Sequence, residues 1–527
     1  MKEKIKKIAI FLVIALVLYY FNLPALNLKS MEFYNYIIWT TVIYLFVNIF
    51  FNRHSFRDMV KTSYKRNYWV YGGLGIIILI CLINFIVSPV FNSKSWANRI
   101  TISKDKEFTE DIKEVDFDKL PLLDKDSSRK LGDKVMGEMP ELVSQFYVSN
   151  LYTQINYNEK ILRVTPLEYS GFIKYLNNCK EGVKGYITVN SVTGESELVK
   201  LAKGMKYMPS AYFFKNLYRH VRFKYPTTIF GTESFEIDNE GKPYWVIQTI
   251  KYTGVNTKKE VSGIVLVDAV TGKTKKYKVK DVPKWIDQVY NADLIIEQVD
   301  GWGKYQKGYL NSIFTQNGVV QTTRGYNYTV MNDDVYLYTG ITSVANDQSN
   351  IGFIMTNLRT KETNFYQVPG AEEYSAMASA RGQVQQMHYT STFPLLINVN
   401  NRPTYLMSLK DSAGLVKMYA FVDVKDYQKV VVTDSSLGIK EAYNNYVNNV
   451  NLTIDNDTKE EKEITINNIT TAIIDGNTYY FLIDTENQKY KASIKVNQNV
   501  LPYLKVGDKV TISYYPKKDI IEIKSIK

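Results

Sequence analysis

The chain has 527 residues, an ordinary globular composition and a formal net charge of +12. Residues 1–91 hold ten Lys and Arg against three Asp and Glu, whereas residues 92–527 carry only five more basic than acidic residues. The positive charge therefore belongs mainly to the N-terminal region, and it gives no support for nucleic-acid binding. The composition also argues against disorder. The 42 Tyr and 24 Phe favour β structure.

Three apolar runs lie in the N-terminal region, at residues 8–26, 33–51 and 68–91, and none contains Asp, Glu, Lys or Arg. About 20 apolar residues in a helix suffice to cross a bilayer, so the runs predict three transmembrane helices within residues 1–91. The first run follows four lysines, as a signal peptide would. No small-x-small cleavage site follows it, so we expect a retained anchor.

The distribution of charge predicts the orientation of these helices. The loop between the first two runs has only Lys29 and Glu32, whereas the next loop carries one Asp58 and five basic residues: Arg53, Arg57, Lys61, Lys65 and Arg66. By the positive-inside rule, the N-terminus and the basic loop are cytoplasmic and residues 92–527 are extracytoplasmic. Cys81 and Cys179 are expected to lie far apart, and an exported region without disulfides is typical of a bacterial envelope. The predicted location is the plasma membrane, with several passes.

Residues 92–126 are polar and predict a stalk. Beyond it, amphipathic spacing and proline positions predict helices from near Leu131 to before Pro140, at 210–223, at Asp281 and at 435–450. We expect α+β modules at 127–290 and 291–450, a linker at 451–462 and a small β domain at 463–527.

A hairpin pattern recurs four times, as GYITVNSVTG from Gly185, GIVLVDAVTG from Gly263, GFIMTNLRTK from Gly352 and MYAFVDVKDY from Met418. In each copy an Asn or Asp follows four strand-like residues and is expected to open a turn through its side chain. These four residues are Asn190, Asp268, Asn357 and Asp423. The copies are 78, 89 and 66 residues apart, a spacing too irregular for a solenoid or a strict propeller. Two interpretations stay open: duplicated modules, or hairpins of a kind common in β-rich proteins.

The hairpin resembles the closing strands of PepSY-type modules, which are small extracytoplasmic domains common in Gram-positive bacteria. That resemblance implies a regulatory or binding module and not a catalyst. Residues 463–527 predict five strands with a helical turn between the third and the fourth, which resembles an OB-fold, with an SH3-like barrel as the rival. The whole chain is similar in layout to bacterial multi-span membrane proteins. The predicted fold class is therefore three N-terminal transmembrane helices, β-rich extracytoplasmic α+β modules and a small C-terminal OB-like barrel.

No motif in the sequence predicts catalysis, a cofactor or a metal. The three histidines, His54, His220 and His388, have no partners at metal-ligand spacing, and HExxH, G-x-S-x-G and Walker patterns are absent. The acidic group of Asp333, Asp334 and Asp347 indicates turns more than a Ca²⁺ site. Adjacent Glu372 and Glu373 indicate a helix start more than a glycosidase pair.

One set of aromatic residues predicts a binding surface, because exposed Tyr and Trp stack on sugar rings or line protein interfaces. Packing between strands is the alternative for the same residues. They are Trp302, Tyr305, Tyr309, Tyr326, Tyr328, Tyr336 and Tyr338.

The sequence thus predicts a non-catalytic, membrane-anchored protein that binds, senses or scaffolds outside the cell. Its expected partners are the lipid bilayer, other envelope proteins and wall polymers, with no nucleic acid. Two other functions stay open: a subunit of a secretion, conjugation or wall-assembly complex, and an envelope hydrolase whose site the sequence does not reveal.

Overall fold

The structure is a computed structural model that describes residues 2–51, 68–104, 106–331, 333–344, 346–450, 460–474, 477–514 and 520–526. The chain divides into two compact units, Met1–Tyr446 and Val447–Lys527. The predicted cytoplasmic basic loop with His54, and residues 451–459 of the predicted linker, lie outside the described residues.

Four helices open the first unit: α1 (Lys2–Asn22), α2 (Met31–Phe51), α3 (Tyr68–Val87) and α4 (Pro89–Ala97). Among the described residues, no helix taken singly combines the length and the apolar character that crossing a membrane requires. One pair bent by 50°, Gly72–Val87 with Pro89–Ala97, meets both criteria jointly. The prediction of a fold class with three transmembrane helices is therefore wrong, and among the described residues more lie in β-strands than in α-helices.

The sequence itself explains this correction. The first turns of α1 are rich in lysine, which leaves an apolar part of only Ile8–Asn22. The apolar stretch of α3 ends at Ser88, because Pro89 lacks the backbone N–H that would continue the helix. The uncharged runs 8–26 and 68–91 therefore extend beyond the ends of the helices α1 and α3.

After β1 (Ile102–Ser103) and three helices, the chain forms four antiparallel sheets in sequence order. Those helices are α5 (Phe108–Asp111), α6 (Lys125–Gly137) and α7 (Pro140–Val143). Sheet 1 contains β2 (Phe146–Val148), β3 (Thr153–Tyr157), β4 (Lys160–Tyr169), β5 (Val183–Asn190) and β6 (Ser196–Met205), with α8 (Phe172–Asn178) between β4 and β5. After α9 (Leu217–Lys224), sheet 2 contains β7 (Ile229–Ile237), β8 (Pro243–Tyr252), β9 (Lys259–Asp268) and β10 (Thr274–Lys278).

Two further helices, α10 (Ala292–Tyr305) and α11 (Tyr309–Ile313), precede sheet 3. Sheet 3 contains β11 (Val320–Thr322), β12 (Asn327–Met331), β13 (Asp334–Ser343), β14 (Asn346–Asn357), β15 (Thr363–Tyr366) and β16 (Gly370–Ala371), and β1 joins it in parallel beside β15. After α12 (Glu373–Gly382), sheet 4 contains β17 (Thr390–Ser391), β18 (Leu395–Val399), β19 (Arg402–Lys410), β20 (Val416–Asp423) and β21 (Val430–Asp434). Helix α13 (Ile439–Asn449) follows sheet 4.

The four sheets share one plan, a four-stranded meander, and in three of them the first strand is interrupted. In sheet 1, β2 and β3 both pair with β4; in sheet 3, β11 and β12 both pair with β13; in sheet 4, β17 and β18 both pair with β19. In sheet 2 the first strand is continuous but has an irregular register between Phe230 and Glu233. The predicted hairpin is the connection from the third strand to the fourth in every sheet, so all four hairpins are confirmed.

The turns of these hairpins are built in the same way. In each, the side-chain oxygen of the Asn or Asp accepts hydrogen bonds from the backbone N–H groups two and three residues later. Gly194 and Gly272 take positive φ angles of 79° and 71° at two of the turns, which glycine adopts at low cost. Because strand order and turn chemistry both recur, the four sheets are structural copies of one another.

Sheet 2 is buried on both faces. Along β8 and β9, Trp245, Val265 and Val267 pack into the core shared with sheet 1, whereas Ile264 and Leu266 pack into the core shared with sheet 3. Side chains alternate across a strand, so a continuous apolar run such as GIVLV requires cover on both sides. Sheet 3 in turn meets sheet 4, where Phe353 and Tyr405 have ring centroids 5.9 Å apart.

The predicted helices differ from the observed ones mainly at their ends. Helix α6 begins earlier than predicted, because the side chain of Asp124 and not of a serine caps it by accepting from the Ser127 N–H. The helix predicted at Asp281 is wrong, since only a 3₁₀ turn forms there. The predictions at 210–223 and 435–450 each correspond to a 3₁₀ turn followed by an α-helix. Described 3₁₀ turns are Phe117–Lys119, Phe213–Lys215, Val279–Asp281, Gln385–Met387, Ser435–Leu437, Ile494–Val496 and Leu501–Tyr503.

The second unit is a closed five-stranded barrel. Its strands are β22 (Glu460–Ile474), β23 (Asn477–Asp484), β24 (Lys489–Ser493), β25 (Lys509–Tyr514) and β26 (Ile520–Ile526), joined in the order β22-β23-β24-β26-β25. Its core contains Ile466, Leu482, Leu501 and Ile512. The five predicted strands and the turn at Leu501–Tyr503 are confirmed, whereas the OB-like and PepSY-like resemblances stay predictions.

Candidate functional site

The aromatic residues predicted to bind do not form one surface. Tyr338 is fully buried, and Tyr326 and Tyr328 pack together, with ring centroids 5.6 Å apart, against the core between sheets 2 and 3. Burial raises the pKa of Tyr328 far above its usual value. Tyr336 is partly buried on β13, and burial raises its pKa as well.

The other three predicted aromatics lie on or beside α10. Trp302 packs partly into the same core, and the Lys104 Nζ lies 4.9 Å from its ring centroid. Tyr305 and Tyr309 stack on each other with centroids 6.4 Å apart and stay partly exposed. The structure thus separates the predicted set into two groups, of which only the pair on α10 and α11 forms a small accessible aromatic face.

The acidic residues noted in the sequence have structural partners. Asp334 accepts bidentate hydrogen bonds from the Arg359 guanidinium at 2.8 and 2.6 Å, whereas the side chain of Asp347 lies outside the described residues. Glu372 caps α12, as a helix start requires, and Glu373 is buried beneath it. In the described part of the chain, no group of three or more His, Cys, Asp or Glu residues is arranged to hold a metal.

The two described histidines are also engaged by the fold. The His220 Nε2 lies 2.7 Å from the Gly272 carbonyl oxygen, and its ring packs 4.4 Å from that of Tyr207. Burial lowers the pKa of His220. His388 takes a left-handed φ of 54° at the end of a 3₁₀ turn.

A cleft of about 980 Å³ lies among the four sheets of the first unit. Each sheet contributes the tip or the end of its first hairpin: Asn158 and Glu159 from sheet 1, Asn239 from sheet 2, Asp333 from sheet 3 and Asn398 from sheet 4. The segment 111–120 closes one side, and Trp285 and Asp287, which follow sheet 2, line another. We call this space the central cleft.

Tight turns bring the polar side chains to the rim of the central cleft. Asn158 and Glu159 have φ angles of 49° and 63° at the β3–β4 turn, and Asp333 has a φ of 69° at the β12–β13 turn. Two-residue hairpin turns need such left-handed residues, and Asn and Asp tolerate them best among residues with side chains. The rim is therefore polar because turn geometry selects these residue types.

Two amide oxygens in the central cleft have no hydrogen-bond partner. Asn398 is only 2% exposed; its Nδ2 donates to the Ile112 carbonyl oxygen at 2.7 Å, but its Oδ1 is unpaired. The Oδ1 of Asn156 is also unpaired, although its Nδ2 donates to Asp333. Leaving a buried acceptor unpaired costs about 1–3 kcal/mol. Such atoms mark places where a ligand can supply the missing donor.

Two buried carboxyl groups lie at the wall formed by the 285–288 segment. Glu236 is fully buried, and its carboxylate accepts from the Ser234 hydroxyl and from the backbone N–H groups of Asp287 and Gln288. Burial raises the pKa of Glu236 to about 7. Burial, together with the charge of Glu236, raises the pKa of Asp287 well above its usual range. Asp287 accepts from the Asn156 N–H at 2.7 Å and holds β3 beside this wall.

The chemistry of the central cleft suits a ligand with many hydrogen-bond donors. Amide and carboxylate oxygens offer acceptors, and the partly exposed Trp285, 5.2 Å from Tyr244, offers an aromatic face. Sugars present hydroxyl donors and apolar C–H faces that stack on such rings. Sequence reasoning did not find these residues because they come from four separate hairpin tips. The only feature of the sequence that pointed to these residues was the presence of Asn-rich turns, and such turns also occur where no ligand binds.

A second accessible feature is the apolar surface of the N-terminal helices. Leu16 and Phe21 on α1, and Phe46 on α2, are 69%, 70% and 75% exposed, and the aliphatic residues of α3 from Leu74 to Leu79 are similarly exposed. Exposed apolar patches of this extent mark contact with lipid or with another protein.

Comparisons with known proteins add little to this geometry. No protein-family model matches the chain, and no curated protein matches it. One similar solved structure is an exo-1,5-α-L-arabinanase from a bovine ruminal metagenomic library, which is 9% identical. The match covers 72% of this chain and 99% of that one, with a TM-score of 0.16. A likeness at that TM-score supports no conclusion about fold or activity.

Proposed function

We propose that this chain is a non-enzymatic binding protein of the bacterial cell envelope, which holds a hydroxyl-rich saccharide such as a wall glycan in its central cleft. The observation that carries the proposal is the unpaired Oδ1 of Asn398, a largely buried residue in the lining of the central cleft, where further acceptors also lie. A saccharide supplies hydroxyl donors to such oxygens and a C–H face to Trp285. The volume of about 980 Å³ accommodates two or three sugar rings.

The proposal includes attachment to lipid through the apolar side chains of α1, α2 and α3. Polar contacts join the body to one end of this helical region: Arg222 donates to the Leu23 carbonyl at 2.8 Å, and Asn84 donates to the Val255 carbonyl at 3.0 Å. Away from these contacts the helices present mainly apolar side chains, which water solvates poorly and lipid solvates well. The extracytoplasmic location is part of the proposal.

The test is a binding titration with the full chain held in lipid nanodiscs. Chitotriose and maltotriose are the probes, with binding measured by calorimetry. We expect one of them to bind, and Trp285→Ala to weaken its binding about tenfold because a stacking face is lost. Trp302→Ala is the matched control, since Trp302 lies on α10 outside the central cleft. Absence of saccharide binding, or an equal loss in both variants, would contradict the proposal.

Hydrolysis of a bound saccharide is a second candidate. Asp287, whose pKa burial raises well above its usual range, lines the central cleft together with the exposed Asp333, so the cleft holds two carboxyl groups in different environments. Acid and base pairs of hydrolases are separated in this way. Release of reducing ends from the same saccharides, abolished by Asp287→Asn, would favour this candidate over simple binding.

A further inference from the structure

A group of exposed rings lies where the sheet-bearing body meets α1. It comprises Phe172 of α8, Tyr212, Phe213 and Phe214 in the loop before α9, and Phe223 of α9; we call it the aromatic platform. Neighbouring centroids are 4.9 Å apart for Phe172 and Tyr212, 6.1 Å for Phe172 and Phe213, and 6.0 Å for Phe214 and Phe223. Each side chain is more than a third exposed, and Phe214 is 63% exposed. Single exposed rings are ordinary, but a continuous group of them marks an interaction surface.

The backbone holds this surface in an unfavourable conformation. Phe213 has a φ of 52°, a region that bulky residues rarely adopt. The Arg219 guanidinium stabilises this loop by donating a hydrogen bond to the Phe213 carbonyl oxygen at 2.7 Å. Strain that presents an apolar ring to the outside gives no benefit to the isolated fold, and strained residues of this kind concentrate at functional sites.

We propose that the aromatic platform lies in the headgroup region of a lipid bilayer and gives the body its own contact with lipid. The platform is continuous with α1, because the Tyr20 ring lies 5.9 Å from Phe214 and the Tyr19 ring 5.5 Å from Phe223. Lipid that solvates the apolar face of α1 therefore reaches these rings. Phe side chains on the apolar side of an interfacial segment are buried at the boundary between headgroups and acyl chains, and the Tyr212 hydroxyl suits the wet side of that boundary.

The basic residues around the aromatic platform favour contact with a membrane that contains anionic lipid. Residues 172–180 and 206–224, which carry it, contain no Asp or Glu and seven basic residues. The Arg219 guanidinium lies 4.1 Å from the Tyr20 ring centroid, beside α1. Basic residues beside an apolar surface attract anionic lipid headgroups.

This inference rests on the lipid attachment in the proposed function, and it is tested by probing depth at Phe213. The full chain with Cys81→Ser and Cys179→Ser is placed in nanodiscs of phosphatidylcholine and phosphatidylglycerol. A nitrobenzoxadiazole fluorophore is attached after Phe213→Cys. The control is Leu415→Cys, which is comparably exposed at 56% in the turn after β19. Lipids brominated near the headgroup then serve as the quencher.

We expect brominated lipid to quench the probe at position 213 at least threefold more than the probe at 415, and the same result after Phe214→Cys if the first variant folds poorly. If the chain enters nanodiscs but the probes at 213 and 415 are quenched equally, the proposal that the aromatic platform contacts lipid is wrong, whereas the lipid attachment of the helices is not affected. Failure of the chain to enter nanodiscs would overturn the lipid attachment itself. A blue-shifted probe at 213 without quenching would show a second copy of the chain on this surface and would also overturn the proposal.

Discussion

Glu236 and Asp287 are buried acids whose protonation should govern part of the pH dependence of stability. The pKa of Glu236 is about 7 in the folded chain and 4.5 in its ordinary environment. Between these pH values the folded chain keeps a proton that the unfolded chain releases. The free energy of unfolding should therefore be highest below about pH 4.5 and fall as the pH rises to 7, by on the order of 3 kcal/mol for this group.

We accordingly expect the midpoint of thermal unfolding to fall between pH 5 and pH 8 in the wild type, and to fall less in Glu236→Gln. Because each protein is compared with itself at two pH values, any loss of stability that the substitution causes equally at both pH values cancels. Glu240→Gln is the control, because Glu240 is exposed in the turn between β7 and β8. A wild-type pH dependence that Glu236→Gln leaves unchanged would show that Glu236 is not the titrating group.

Predicting individual residues from the sequence succeeded for the turns and for the helix start at Glu372, but it did not find the residues of the central cleft. Asn190 and Glu372 act locally on backbone N–H groups within three residues, so the chain around them is sufficient evidence. Asn398 became a candidate only because folding buries its amide and leaves one oxygen unpaired. The burial of Tyr328 could not be predicted for the same reason, since burial depends on residues far away in the chain.

The repeated turn is the element whose chemistry the structure defines best. Asn190 accepts from Val192 N–H at 2.9 Å and from Thr193 N–H at 3.1 Å through one side-chain oxygen. Asn190→Ala should lower the free energy of unfolding by about 1 kcal/mol, because these donors lose their partner. Asn190→Asp should cost much less, since Asp serves in the same place at Asp268 and Asp423. Chemical denaturation measures both, and equal losses would refute the equivalence of the four turns.

At the scale of elements, strands were more predictable than helices. Alternating and apolar runs bounded by Asn, Asp and Gly located all four hairpins and the five barrel strands. The sequence did not predict the interrupted first strand of sheets 1, 3 and 4, because strands such as β17 have two residues and no periodicity. Helix α6 was misplaced at its start because several residues nearby could serve as the cap.

At the scale of the whole molecule, one substitution in the apolar helices distinguishes a lipid environment from an aqueous one. Ile77 on α3 is 57% exposed. If lipid covers it, Ile77→Lys should cost about 2–3 kcal/mol and reduce the fraction of chain that floats with liposomes. In water the same change at an exposed position should alter stability by less than about 0.5 kcal/mol. Leu415→Lys is the control, and equal flotation of both variants would argue against lipid around α3.

The whole-molecule arrangement was the least predictable part of the fold. Repeated hairpins were visible in the sequence, but their grouping around one cleft depends on packing between sheets, as in the two-sided burial of sheet 2. The transmembrane prediction failed because absence of charge was taken for sufficient hydropathy. The apolar part of α1 is only Ile8–Asn22, and the apolar stretch of α3 is bent at Pro89.

The most direct test of the account is fluorine NMR of the chain labelled with 5-fluorotryptophan, during titration with the saccharide probes. Trp285→Phe assigns the one resonance that reports on the central cleft. We predict that this resonance shifts when the saccharide binds, whereas the resonances of the buried Trp245 and of Trp302 do not shift. A saccharide that shifts another tryptophan and leaves Trp285 unchanged would contradict the assignment of the central cleft as the binding site.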